Sequence, residues 1–148
     1  MKYTWFCSAI TCLVFGKGDK NNLIYTGGYD SNIHIWDCSS GELIGSLESH
    51  KERINALAIS DDGQYLVSAG ADKMVIVWDV ENHYSVKCKF CCIEECTCVV
   101  LNENYVICGY SSGVIRKWPL YTESTKELFQ DTVLCKHDNS QVESFRLE

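Results

Sequence analysis

The chain has 148 residues, a formal charge of −7 and 46% hydrophobic residues, which fits one domain with a real core and argues against disorder. Lys and Arg are scattered without a basic stripe, which disfavours a nucleic-acid partner, and no run reaches the ~18–20 apolar residues that a membrane helix needs. Ten cysteines fall mostly where a strand wants a small apolar residue, which suits buried free thiols in a reducing compartment better than a disulfide framework.

The first sixteen residues, MKYTWFCSAITCLVFG, carry a Lys and an apolar run in the manner of a signal peptide. Against that reading, Ile10–Phe15 belongs to a repeated column, so its removal would delete a core strand. Its pattern is apolar, polar, small, apolar, any, apolar. The pattern returns at Ile54–Ile59, Cys96–Leu101 and 142–147, so the starts lie 44, 42 and 46 residues apart. Self-similarity at such a period points to stacked repeats.

A second column follows the first, in the runs LIYTG (23–27), YLVSA (65–69) and YVICG (105–109). A third ends on tryptophan, in IHIWD (33–37), VIVWD (75–79) and IRKWP (115–119). Each run is short, β-branched and bounded by turn residues such as Asp61-Asp62-Gly63, Tyr29-Asp30-Ser31-Asn32 and Ser111-Ser112-Gly113. A weaker fourth strand is expected after each tryptophan, at 42–47, 85–90 and about 126–130. Every period therefore predicts a four-stranded antiparallel meander. A lone meander with two apolar faces cannot bury itself, whereas stacked meanders can.

Ser49-His50 opens the most complete unit, Trp36-Asp37 and Trp78-Asp79 close two units, and Trp118-Pro119 closes a third in degenerate form. With these signatures the chain resembles the WD-repeat β-propellers. The resemblance implies an all-β fold of four-stranded antiparallel blades in an incomplete ring. Blade 1 is expected at about 8–47, blade 2 at 50–90, blade 3 at 94–135, and the start of a fourth at 137–148, opened by His137.

In that family a His, a Ser or Thr, an Asp and a Trp share a buried hydrogen-bond network. The resemblance places it on His50, Ser68, Asp72 and Trp78. A buried Asp needs donors, and a buried indole N–H or hydroxyl needs a partner. A Ser, a His and an Asp also invite a hydrolase reading, but the repeat explains their spacing and no nucleophile-elbow motif surrounds Ser68. Blade 1 keeps Thr26, Asp30 and Trp36, with Phe6 at the His position. Blade 3 keeps Trp118, with Cys108 and Ser112 where Ser/Thr and Asp would stand.

The chemistry-bearing alternative is the cysteine cluster. Cys88-x-x-Cys91 has zinc-like spacing, with Cys92, Cys96 and Cys98 close behind, which makes a metal- or redox-responsive thiol protein the rival reading. Only one such pair exists, so the expected metal is none and the expected cofactor is none. Recognition through loops is the leading reading. The resemblance puts Lys51, Glu52 and Arg53 in one loop set at a propeller mouth and Tyr29, Ala71, Tyr110 and Ser111 near the other. Tyr and Arg are residue types enriched in interface hot spots. The Trp-Asp-x-Arg extension of propellers that serve cullin-RING ubiquitin ligases is absent, since the pairs continue as Cys38-Ser39 and Val80-Glu81.

The expected function is a non-catalytic protein-interaction scaffold in the cytoplasm or nucleus, with a protein partner in a multiprotein complex and neither nucleic acid nor membrane as ligand. Three blades leave sheet flanks open. The chain is expected to be a fragment of a larger propeller, with a truncated product without independent function as a further reading, or to be completed by further blades or another chain, or to persist as an open arc.

Overall fold

A computed structural model describes residues 8–120 and the backbone of Thr132–Lys136. Three four-stranded sheets run in chain order. Blade 1 is β1 (Ile10–Phe15), β2 (Leu23–Gly28), β3 (Asn32–Asp37) and β4 (Leu43–Glu48). Blade 2 is β5 (Ile54–Ile59), β6 (Tyr65–Gly70), β7 (Met74–Asp79) and β8 (Ser85–Cys91). Blade 3 is β9 (Cys96–Leu101), β10 (Tyr105–Tyr110), β11 (Val114–Pro119) and β12 (Thr132–Lys136). All neighbours pair antiparallel. Among the described residues the only helix is a three-residue 3-10 turn, Gly18–Lys20.

One expected strand is displaced. The partner of β11 is Thr132–Lys136, not the 126–130 stretch, which lies outside the described residues. The β-branched pair Thr132-Val133 suits a strand better than the charged Lys126-Glu127. Phe6, His137 and the expected fourth blade at 137–148 also lie outside the described residues.

The sheets stack face to face, which is why β6 in the middle blade is buried at all six positions. In each first strand the register slips near its start, between Ile10 and Cys12 and between Ile54 and Ala56, with a matching slip opposite Cys96. This bulge turns two sets of side chains to opposite faces. Ile54, Leu57 and Ile59 point to blade 1, and Ala56 and Ala58 point to blade 3. The first inter-blade core joins Tyr25, Ile33 and Ile35 of blade 1 to Ile54, Leu57, Leu66, Ile76 and Trp78 of blade 2. The second joins Val67, Val75, Val77 and Phe90 of blade 2 to Cys96, Val99, Val106, Cys108 and Trp118 of blade 3. Phe90 and the Trp118 indole stack with centroids 5.0 Å apart.

Candidate functional site

In blade 2 the strand ends and the β4–β5 loop bring four polar side chains into one buried line. Trp78 Nε1–H donates to Ser68 Oγ at 3.1 Å, and Ser68 Oγ lies 2.8 Å from His50 Nε2. His50 Nδ1 lies 2.9 Å from Asp72 Oδ1. The partners fix the tautomer: a neutral ring accepts the Ser68 proton at Nε2 and donates its own from Nδ1. Burial pushes the His50 pKa below its ordinary value, and Asp72 offsets this only in part. Burial alone would raise Asp72, but the Lys51 N–H, His50 and the Met74 N–H outweigh it and hold the carboxyl below its usual range.

A glycine makes the line possible. A Cβ on Gly70 would stand 2.5 Å from His50 Nδ1 and 2.6 Å from Asp72 Oδ1. The order Ser, His, Asp matches that of a hydrolytic triad, but Ser68 is fully buried and its oxygen already receives the indole N–H. No substrate carbonyl can reach it, so the set acts as a clamp between loop, turn and strand.

Blade 1 solves the same problem differently. Trp36 Nε1–H donates to Thr26 Oγ1 at 2.9 Å, and Asp30 caps its own turn through the Asn32 N–H at 3.2 Å. The imidazole beside Asp30 comes from β3: His34 Nε2 lies 2.5 Å from Asp30 Oδ2. Thr26, Gly28, Asp30 and Trp36 line a cavity of about 140 Å³, whereas in blade 2 the counterparts Ser68, Gly70 and Asp72 stand against the His50 ring. His34 escaped the sequence reading, although a polar residue in a column that holds Ile76 in blade 2 was a usable signal.

Blade 3 replaces the set altogether. Tyr110 stands in the column of Gly70, and its hydroxyl accepts from Trp118 Nε1 at 3.4 Å and donates to Cys92 Sγ at 3.3 Å. Cys92 occupies the His50 position, four residues before the first strand. Ser112, at the Asp72 position, donates to Glu94 Oε1 at 2.7 Å. Tyr110 therefore belongs to the core and not to an open loop, and Ala71 is buried as well, which corrects their expected place among contact residues. Tyr110 turns inward because no His or Asp claims the slot. Ser111 remains exposed.

The remaining loop residues meet on one rim. Arg53 Nη2 donates to Glu95 Oε1 at 2.7 Å, Arg53 Nε donates to Asn55 Oδ1 at 3.1 Å, and Asn55 Nδ2 donates to the same Glu95 oxygen at 2.7 Å. The guanidinium lies 5.9 Å from the centre of the exposed Tyr29 ring. Loops from three blades are thereby tied at the end that carries the clamps. Lys51 is exposed beside this group, and Ile93 is exposed on the neighbouring loop. Glu95 and Asn55 were not anticipated from sequence.

The Cys88-x-x-Cys91 pair does not converge on one site. Cys88 is buried and Cys91 exposed, because a spacing of three along a strand sends side chains to opposite faces. Burial pushes Cys88 and Cys98 up to about 11 and Cys92 up to about 12. The hydrogen bond with Cys108 and burial push Cys96 well above its ordinary value. Burial thus disfavours the thiolate form at these four positions. Among the described residues no three His, Cys, Asp or Glu side chains are grouped to hold a metal ion.

Residues 2–37 and 41–79 match the family model of the WD domain, G-beta repeat. The chain belongs to the WD-repeat family. This WD-repeat chain is 28% identical over 137 residues to a CCR4-associated factor 4 homolog of Vanderwaltozyma polyspora, which covers 81% of the chain and 20% of that protein. It is 27% identical over 123 residues to the small ribosomal subunit protein RACK1y of Oryza sativa subsp. japonica, covering 82% of the chain and 35% of that protein. The β-propeller domain of Myceliophteria thermophila Cps50 (Swd1) superposes with a TM-score of 0.72 at 22% identity, over 85% of the chain and 37% of that structure. The chain thus spans well under half the length of each of these relatives.

Proposed function

We propose that the chain is a non-catalytic WD-repeat scaffold that binds a partner protein through the clamp-bearing rim, with Tyr29, Arg53 and Glu95 at the centre of the contact. One observation carries the reading: an exposed tyrosine and an arginine held in place by Glu95 and Asn55 sit side by side across three blades. A side chain already held in its bound geometry loses little entropy on association, and Tyr and Arg are the usual anchors of interfaces. Lys51 and Ser111 extend the contact. The polar clamps beneath the rim hold its loops and take no part in chemistry. A WD-repeat relative is named as a ribosomal subunit protein, which supports a place for this chain in a multiprotein complex, in the cytoplasm or nucleus.

The test is quantitative affinity capture from the native cell, comparing the wild-type chain with Arg53→Ala, Tyr29→Ala and a control at the opposite rim, Asp61→Ala. A partner enriched by wild type and the control, and lost with both rim variants at unchanged melting temperature, is the expected result. Equal recovery by all four proteins would end the assignment.

A further inference from the structure

On the rim opposite the clamps, the turns between first and second strands shorten from blade to blade, over 16–22, 60–64 and 102–104. The long turn of blade 1 leans on the turn of blade 2. A Cβ at Gly63 would stand 2.5 Å from the Lys17 carbonyl oxygen, and Lys17 Nζ lies 3.0 Å from Asp61 Oδ1. A lysine of the chain itself thus closes the junction between blades 1 and 2. The shorter turn of blade 2 leaves the next junction open, as a cleft of about 380 Å³ between blades 2 and 3.

The cleft has an apolar floor and a charged mouth. Tyr65 and Leu120 line it from the core, at 6% and 2% exposed, and the exposed Asp62 and Glu103 line it from opposite blades. The Ser60 hydroxyl donates to Asp62 at 2.6 Å and the Gln64 N–H donates to it at 2.9 Å, which holds its carboxyl below the usual range. Neither Asp62 nor Glu103 has a counter-ion among the described residues. Two lysines of the chain show what this lining attracts. Lys17 is bound to Asp61, and the Lys87 ammonium lies 5.0 Å from the centre of the Tyr65 ring. A lysine lays its stem along apolar surface while its head stays charged, and an aromatic wall adds attraction.

We propose that the cleft between blades 2 and 3 binds a lysine side chain from a basic segment of a partner protein, with its stem on Tyr65 and Leu120 and its ammonium between Asp62 and Glu103. The closed junction next to it identifies this occupant, since there the same rim seats a lysine on an aspartate. The connection that follows Leu120 is disfavoured, because it sets Glu123, Glu127 and Asp131 against the single Lys126. This surface is separate from the Tyr29–Arg53 rim and stands or falls without it.

The test titrates the isotope-labelled full chain with the pentapeptide Gly-Gly-Lys-Gly-Gly, capped at both ends, and follows amide chemical shifts. Expected are saturable shifts at 60–65 and 102–104, absent with the norleucine counterpart of the peptide. Glu103→Gln should weaken binding about threefold, the scale of one exposed ion pair. Glu42→Gln removes the same charge far from the cleft and should change nothing. Asn104→Lys places a tethered ammonium at the mouth and should abolish the shifts at unchanged melting temperature. Equal weakening by Glu103→Gln and Glu42→Gln would reduce the effect to net charge and overturn the proposal. So would binding of the norleucine peptide, or shifts that spare the two turns. If the lysine peptide binds only after Lys126→Ala, the chain's own connection is the occupant, and the proposal also falls.

Discussion

Blades 2 and 3 share register, length and a terminal tryptophan, yet fill the slot beside that tryptophan with opposite chemistry. Blade 2 uses small backbone at Gly70 and a polar line of His50, Ser68 and Asp72. Blade 3 uses a bulky Tyr110 and two sulfur-bearing residues, Cys92 and Cys108. The constant requirement is an acceptor for the indole N–H, a Ser hydroxyl in one blade and a Tyr hydroxyl in the other. The fold therefore specifies satisfaction of a buried donor, not a particular set of residues.

The comparison breaks most sharply at His50. Its removal leaves Asp72 charged and nearly enclosed without its ring donor, and opens a hole beside Gly70. His50→Ala should cost about 2–4 kcal/mol, from a lost hydrogen bond to a charged carboxylate and the cavity left by the ring. Cys92→Ala, at the same position in blade 3, strips only a weak sulfur acceptor and should cost about 1 kcal/mol or less. Urea denaturation of both variants checks the ranking, and equal losses would refute it.

Acid should separate the two blades as well. His50 has a folded pKa below its ordinary value of 6.5, and Asp72 a folded pKa below 3.8. In both cases the unfolded chain binds the proton more readily. The contribution of His50 is therefore complete above about pH 6.5 and is lost as pH falls toward its depressed folded value. Asp72 adds a second loss below pH 3.8. Urea midpoints taken between pH 7 and pH 5 should fall for the wild-type chain, with a shallower fall for His50→Ala. A parallel fall in both would show that another group governs the window.

Sharpening the blade 3 side calls for a change that keeps shape. Tyr110→Phe retains the ring and removes the hydroxyl, leaving the Trp118 N–H without that acceptor. The expected cost is about 1–2 kcal/mol. The same change should alter Trp118 fluorescence, because the indole loses a polar neighbour. A variant as stable as wild type would mean that the 3.4 Å contact contributes nothing.

Much of this was legible in the sequence, for reasons that differ by residue. The strand columns and tryptophans followed from period-two patterning inside a repeat, where each copy corroborates the others. The blade 2 clamp was legible because all four members stand in columns the family uses. Tyr110 was misplaced among the loop residues because its column was read as a strand end, although glycine in the other two blades marked a slot pressed by side chains. Glu95 and Asn55 gave no sign, since their partner Arg53 lies about 40 residues from Glu95, and pairing across blades depends on stacking, not on local pattern. The fourth strand of blade 3 was misread because a long connection lets more than one segment compete for the same edge.

The smallest expected effect lies in the turn that both clamps share. Asp30 and Asp72 each accept the backbone N–H two residues on, and the residue between adopts a left-handed conformation: Ser31 at φ 70° and Lys73 at φ 65°. Blade 3 places Gly113 there at φ 85°. A side chain in this region costs roughly 1–2 kcal/mol, while glycine gives back part of that through unfolded-state entropy. Lys73→Gly should therefore stabilise the chain by about 0.5 kcal/mol, read as a small rise in the urea midpoint at constant slope. Gly113→Lys, the reverse exchange in blade 3, should destabilise by a similar amount. If both changes lowered stability, the turn geometry would not be common to the two blades, and the clamp in blade 2 would depend on Lys73 through its side chain.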